Sequence, residues 1–346
     1  MSSYLERELA EQPAALTRLI ERQRDRAAEI SELLRSQDVQ YILIASRGSS
    51  SNAARYAQYL LGRAHRVPVS FATPSLYTLY EQPPRLDGAL VLGISQSGES
   101  PDVKAVIDEA RAQGRPTVAV TNVPTSPLGA AVDAVLPLEA GREESVAATK
   151  TYMNSLGAIA LLFATATDDP RARDELERLP AQLARQLEVS AESAAQIDGL
   201  GLVDGGTVVA RGVNYGTSFE IALKIRELSG LLFEAYSAAD LMHGPVAAIG
   251  SGWPVIALAP SGPARPSMEE AIRDVAARGA RVVVIADDEQ VLARGEIGLP
   301  LAPGVPEWLS PLTAVVPGQL AALRLAMLRG VDIDKPLGLS KVTLTR

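Results

Sequence analysis

Apolar and polar positions change their spacing repeatedly along this chain, and each change marks an element. Residues 4–36 carry Leu16, Leu19, Ile20, Ala27, Ile30, Leu33 and Leu34 at helical spacing among charged side chains. This predicts two helices, or one kinked helix, broken near Pro13. Val39–Ala45 is a short apolar run that predicts a strand, followed by the polar turn Ser46–Asn52 and a helix from Ala53 to Leu61. Pro68–Ala72 predicts another strand, and Pro74–Tyr80 a turn or short helix. Ala89–Ile94 reads as a buried strand, the run Ser95–Pro101 as a turn, and 102–113 as a helix with Pro101 suited to its first turn. Strands over Pro116–Val120 and Ala134–Leu138 follow. A long apolar helix over about 150–167 breaks at Asp168–Pro170, and a charged helix over 171–195 reads as a connector.

The same pattern then recurs. Thr207–Gly212 echoes Leu43–Gly48 at an offset of 164 residues, and Pro254–Leu258 stands at that offset from Leu90–Ile94. Ala280–Ile285 matches the strand at 116–120, and Pro300–Gly304 mirrors Pro137–Gly141. Four matches in order imply a duplicated domain rather than a solenoid, because the period is the size of a domain. Strands alternating with helices imply a doubly wound parallel α/β sheet in each copy. The expected divisions are a helical segment 1–36, a first domain 37–168, a connector 169–198, a second domain 199–330 and a tail 331–346. A last helix is predicted over Pro311–Arg329, and the apolar residues of the tail predict that it returns to a core.

Composition narrows the function. The chain has 346 residues, 47% hydrophobic and 4% aromatic, so its cores are aliphatic. A net charge of −8 argues against nucleic acid or an anionic membrane as the main partner. With no cysteine and two histidines, disulfides, thiolate metal sites and cysteine catalysis are excluded, and a His-rich metal site is not expected. The first residues lack a signal-peptide pattern, and Leu156–Ala166, taken as the longest apolar run, is too short for a bilayer. A cytoplasmic protein is expected.

Chemistry concentrates at few places. Ser95–Ser100 crowds hydroxyls and an amide at a strand-to-helix turn, beside free N–H groups at a helix start, which suits phosphate; an ordinary loop with a capping serine has the same composition. The second copy has Ala259–Gly262 there, so only the first is expected to bind an anion. Glu220, Lys224 and Glu227 share one helix face, as a solvated ladder or as a tuned acid–base group. His243 is held by Gly244-Pro245, as a cap or as a catalytic imidazole. Lys341 sits in a mostly apolar stretch, as a solvated lysine or as a site cation. Thr149-Lys150 opens a helix that either adds N–H groups to the anion site or is simply capped.

Taken in order, Gly48–Asn52, Ser95–Ser100, Val146–Lys150, Ala222–Glu227, His243–Pro245 and Leu339–Lys341 resemble the motifs of the tandem SIS (sugar isomerase) family. The likeness spans about residue 30 to 346 and is to the isomerase half of glucosamine-6-phosphate synthase and to glucosamine-6-phosphate deaminases of the same fold. It implies two SIS domains in tandem, no cofactor or metal, and a homodimer. It implies that Ser49, Ser50, Ser95, Gln96, Ser97, Ser100 and Ala148 surround a sugar phosphate. Glu227 would be the C1/C2 base, His243 would assist ring opening, and Lys224 and Lys341 would contact the open sugar. Ala148 and Leu337 depart from the synthase, which commonly has serine and arginine there, and without a cysteine glutamine-dependent amination is not expected. The Arg47 turn, the Pro74–Tyr80 run and the Ser100–Asp102 helix start resemble the deaminases. The resemblance therefore implies glucosamine 6-phosphate plus water giving fructose 6-phosphate plus ammonia. A plain phosphosugar isomerase, an ammonia-dependent synthase-like isomerase and a non-catalytic sugar-phosphate sensor are the alternatives.

Overall fold

A computed structural model describes residues 3–36, 39–167, 169–336, 338 and 341. Asp168 of the expected helix break, and Leu337, Leu339 and Ser340 of the tail, lie outside the described residues. The chain divides into two compact units: Glu11–Pro180 with Lys341, and the first helix with residues 181–336 and Gly338.

In chain order, α1 is Tyr4–Ala10, α2 Gln12–Ser36, β1 Tyr41–Ser46, α3 Gly48–His65, β2 Val69–Phe71, α4 Ser75–Thr78, β3 Ala89–Ile94, α5 Pro101–Ala112, β4 Thr117–Thr121, α6 Pro127–Ala130, β5 Ala134–Pro137, α7 Lys150–Ala166 and α8 Pro170–Ser193. The five strands form one parallel sheet in the order β2-β1-β3-β4-β5. All six residues of β3 are buried, as expected of a strand covered on both faces. One face packs Leu43, Val91 and Ala119 against Val106 and Ile107 of α5. The other is covered by α3 and α7, and α2 packs on α7. Helix α7 is buried continuously from Lys150 to Ala164, which is why its apolar run shows no amphipathic period.

The second copy continues with β6 Gly205–Ala210, α9 Tyr215–Ser229, β7 Leu232–Ser237, α10 Ala238–Met242, β8 Pro254–Leu258, α11 Arg265–Ala277, β9 Arg281–Ala286, α12 Glu289–Leu292, β10 Ile297–Pro300 and α13 Ser310–Leu328. Its parallel sheet runs β7-β6-β8-β9-β10, the same order as the first. The duplication inferred from sequence offsets is therefore a duplication of topology: two doubly wound α/β domains. Val209, Val255 and Val284 pack with Leu241 and Ile272 on one face, and α9 packs with α13. The helix over Glu307–Leu328 has the length and apolar content of a membrane span, but 78% of its apolar window is buried, as in a core helix. Pro311, Pro317 and Gly318 interrupt that stretch in the sequence and made Leu156–Ala166 look like the longest apolar run.

Two expectations need correction. The helix expected from Ala53 begins at Gly48. Its first turn, Gly48–Ser51, buries no apolar face and so shows no hydrophobic period, while serine is well suited to a helix start. Strand β7 was not expected at all. It is a sheet edge in which Phe233 is buried between exposed Leu232 and Glu234 and the remaining residues are half-buried. Phe233, fully buried, anchors it over Gly206 of β6, where an added Cβ would come within 2.4 Å of the ring.

That close approach gives a test. Gly206→Ala must displace the Phe233 ring, and overpacking of this kind costs about 1–3 kcal/mol. Denaturant unfolding should show that loss as a lower midpoint with an unchanged slope.

Candidate functional site

In a parallel sheet of this order the direction of strand addition reverses between β1 and β3, and the crevice beyond their carboxyl ends is where such folds hold ligands. Both strands run there into a helix start. Arg47 and Ser100 occupy the cap positions of α3 and α5, and neither makes a side-chain cap hydrogen bond. Ser49 and Ser50 lie half-buried in the first turn of α3; Ser95 is buried, and Gln96, Ser97 and Ser100 are half-buried. Within the turn the Gly98 N–H donates to Ser95 Oγ at 3.1 Å and the Glu99 N–H to Ser97 Oγ at 3.3 Å. Gly98 holds a φ of 67°, and a Cβ there would stand 1.9 Å from Ser126 Oγ, so only glycine closes this turn. Hydroxyls and N–H groups thus converge on one crevice, as an anion requires.

The crevice also holds a cation. Arg47 Nε donates to Asp102 Oδ2 at 2.6 Å, tying the start of α3 to that of α5; Asp102 is buried and Arg47 half-exposed. Reading the turns as hydroxyls and amides alone missed this pair. The two residues lie 55 positions apart and meet because β1 and β3 are neighbours.

A third residue was missed. Glu143, its side chain 1% exposed, lies in the loop before α7. Its Oε1 accepts from the Thr149 N–H at 2.9 Å, Thr149 Oγ1 at 3.2 Å and the Thr151 N–H at 3.0 Å. Its Oε2 accepts from Thr151 Oγ1 at 2.7 Å, Gln96 Nε2 at 2.9 Å and Lys341 Nζ at 2.8 Å. Thr149 makes no side-chain cap hydrogen bond of its own; the carboxylate takes the donors at the start of α7. That helix start is capped, not a further donor to the anion site. Lys150 Nζ is buried and turned to Glu11 Oε2 at 2.5 Å and the Arg142 carbonyl at 2.7 Å. Ala148 is half-buried one residue before Thr149 and offers only backbone polar groups. Lys341 is not a solvated tail lysine: it also donates to the Ser145 carbonyl at 2.6 Å. A glutamate just before Val146–Lys150 was the available signal, but nothing in the sequence marks it as buried.

The second unit holds the other candidates. Glu220, Lys224 and Glu227 do lie on one face of α9, and they are not a solvated ladder. Glu220 and Lys224 are 0% and 1% exposed. Lys224 Nζ donates to Glu227 Oε2 and lies 3.5 Å from Glu220 Oε1. Glu227 is 25% exposed and lines a cavity of about 530 Å³ with Leu223, Arg226 and Val331. A carboxylate reaching solvent from a buried ammonium is able to take up and return a proton. His243 is exposed, at the end of α10, where its N–H donates to the Asp240 carbonyl at 3.1 Å; Gly244 follows at a φ of 135°.

The second copy's counterpart of the anion turn is filled by the protein itself. Asp287, the residue after β9, accepts from the Ser261 N–H at 2.8 Å and Ser261 Oγ at 3.0 Å. The Glu307 side chain covers Gly262, where a Cβ would come 2.6 Å from Glu307 Cγ. Arg265 is committed to Glu269 at 2.9 Å, Asp288 at 2.8 Å and Ser261 at 3.2 Å. Internal carboxylates thus occupy the place an external anion would need.

Comparison with known proteins agrees with this architecture. The SIS domain profile matches residues 33–165 and 207–329, one match to each copy. A glutamine–fructose-6-phosphate aminotransferase (isomerizing) of Zymomonas mobilis is 32% identical over 361 residues, covering 98% of this chain and 58% of the relative. The chain thus spans little more than half the length of that curated relative. The C-terminal domain of glucosamine-fructose-6-phosphate aminotransferase from Francisella tularensis superposes with a TM-score of 0.87 at 27% identity, covering 97% of this chain and 99% of that one. A glucosamine-6-phosphate deaminase from Thermotoga maritima shares the fold, with a TM-score of 0.79 at 23% identity over 99% of this chain and 100% of that one.

Glu143 gives a pH test. Burial pushes its carboxyl up, but the charge and hydrogen bond of Lys341 and the N–H groups of Thr151 and Thr149 outweigh burial and hold it below its ordinary 4.5. A carboxyl lowered on folding stabilises the fold above its unfolded value and loses that contribution as pH falls through its folded value. The stability advantage of the wild type over Glu143→Gln should be constant from neutral pH down to about 5 and shrink below 4.5 in denaturant titrations.

Proposed function

Because this chain belongs to the SIS-domain family, related to the C-terminal domain of the isomerizing aminotransferases, we propose that it is a phosphosugar enzyme that deaminates glucosamine 6-phosphate. The reaction converts aminosugar phosphate and water into fructose 6-phosphate and ammonia. The observation that carries the reading is the acid–base set on α9: a buried ammonium bonded to a carboxylate that reaches a cavity.

In this reading the phosphate takes the donors of the first unit: Ser49, Ser50, Ser95, Ser97 and Ser100, with Gln96 and the backbone at Ala148. Binding energy gathered at the phosphate orients carbons that lie several bonds away. His243 assists ring opening, which exposes the C1 aldehyde. Glu227 then takes the proton from C2, the C–H electron pair becomes the C1–C2 double bond, and the C1 carbonyl π pair moves to O1, which takes a proton from a lysine ammonium to give an enolamine. The proton on Glu227 returns to C1 as the nitrogen lone pair forms the C2–N double bond, and the resulting iminium gives one N–H proton back to the lysine, which leaves an imine at C2. Water adds to C2 and ammonia departs, so atoms and charge balance. Lys224 and Lys341 donate to sugar oxygens as negative charge develops on them. The steps call for general acid–base groups, and no metal or organic cofactor enters them.

The resemblance of Arg47–Ser50, Pro74–Tyr80 and Ser100–Asp102 to the deaminases favours release of ammonia over plain isomerisation. Purified protein given glucosamine 6-phosphate should release ammonia and fructose 6-phosphate in equal amounts. Glu227→Gln should bind the sugar phosphate with unchanged stoichiometry and lose turnover by about 10²–10⁴-fold. Binding without turnover of any hexose or hexosamine phosphate by the wild type would make the protein a sensor and end the proposal.

Calorimetry with the sugar phosphate should give one site per chain. Gly98→Ala should abolish binding, whereas Ser261→Ala in the second copy should leave it intact.

A further inference from the structure

Helix capping explains only half of what Glu143 does. One oxygen, Oε1, takes all three of the donors that a cap of α7 needs from Thr149 and the Thr151 N–H. The other, Oε2, takes Thr151 Oγ1 of the same helix and also reaches two side chains outside it, Gln96 in the turn after β3 and Lys341 near the chain end. Gln96 and Lys341 are 245 positions apart in the sequence, and a cap needs neither.

We propose that Glu143 is the positioning residue of the anion crevice, fixing the Gln96 amide and the Lys341 ammonium through one buried oxygen. The inference rests on the reading of Gln96 and Lys341 as substrate contacts. A carboxylate is an acceptor only, so Gln96 must turn its Nε2 toward it, spending one of its two amide N–H donors there and leaving the second for a ligand. An ammonium has three donors. Lys341 spends one on Glu143 at 2.8 Å and one on the Ser145 carbonyl at 2.6 Å. Among the described residues it has no third acceptor, and its side chain remains 27% exposed. Loop 143–145 is thus a socket that holds the lysine by two donors and leaves the third for an oxygen of the substrate.

The socket is testable without turnover. Acetylation of the ligand-free protein, read by mass spectrometry, should label exposed Lys335 quickly and Lys341 slowly. Glu143→Gln should raise the Lys341 labelling rate about tenfold or more, since it removes the charged partner of a sheltered ammonium, and leave Lys335 unchanged. Should Glu143→Gln not fold, Glu143→Asp, which keeps the charge but loses reach, should give a smaller rise in the same direction. A Lys341 rate within about twofold of wild type in a folded variant overturns the proposal, whatever the enzyme turns over. With glucosamine 6-phosphate as substrate, Glu143→Gln should lower kcat, and Glu143→Asp should restore part of it. Adding Glu143→Gln to Lys341→Met should lower kcat less than it does in the wild type. Fully multiplicative losses would mean that Glu143 does not act through the lysine, and would overturn that half of the inference.

Discussion

A carboxylate sealed from water must be supplied with hydrogen-bond donors, or it protonates or unfolds its surroundings. Glu143 meets that constraint with six donors from the helix start at 149–151, the turn after β3 and the chain end. The cost of desolvating its charge, several kcal/mol, is offset only while all three segments are in place. A single buried charge therefore couples the cap of a helix, the orientation of an amide and the placement of a lysine. Removing any one segment takes donors away from the buried carboxylate.

The second unit answers the same constraint differently. Glu220 and Lys224 are sealed completely, one turn apart on α9, and Glu227 carries their charge outward to the cavity. In the first unit the buried charge holds the Gln96 amide and the Lys341 ammonium. In the second it lies beside a carboxylate that is partly exposed. The two copies share a strand order and differ in which charges they bury.

The duplicated turn is satisfied differently in the two copies. In the first copy the residue after β4 is Asn122, whose amide bridges backbone groups of Ala140 and Gly141. In the second copy the corresponding residue is Asp287, whose carboxylate bonds the turn directly. A neutral amide that satisfies the neighbouring loop leaves the turn's donors for a ligand, whereas a carboxylate consumes them.

Much of this was legible in the chain. Continuous aliphatic runs separated by polar turns specify parallel strands buried on both faces, and the recurrence of such runs at 164 residues specifies two copies with one topology. The serines of 95–100 and the shared face of Glu220, Lys224 and Glu227 followed from turn chemistry and helical period, which are local properties. Strand β7 did not, because an edge strand of six residues is stabilised by Phe233 seated on Gly206, a contact that no local pattern reports. Nor did Arg47 with Asp102, Lys341 with Glu143, or Asp287 with Ser261. Each of these joins residues distant in sequence, and burial rather than residue type decides whether such a charge is solvated or structural. The sequence by itself determined most of the elements and their duplication. Only the tertiary structure decided which charges are sealed from water and what they hold, because desolvation depends on neighbours that the fold alone brings together.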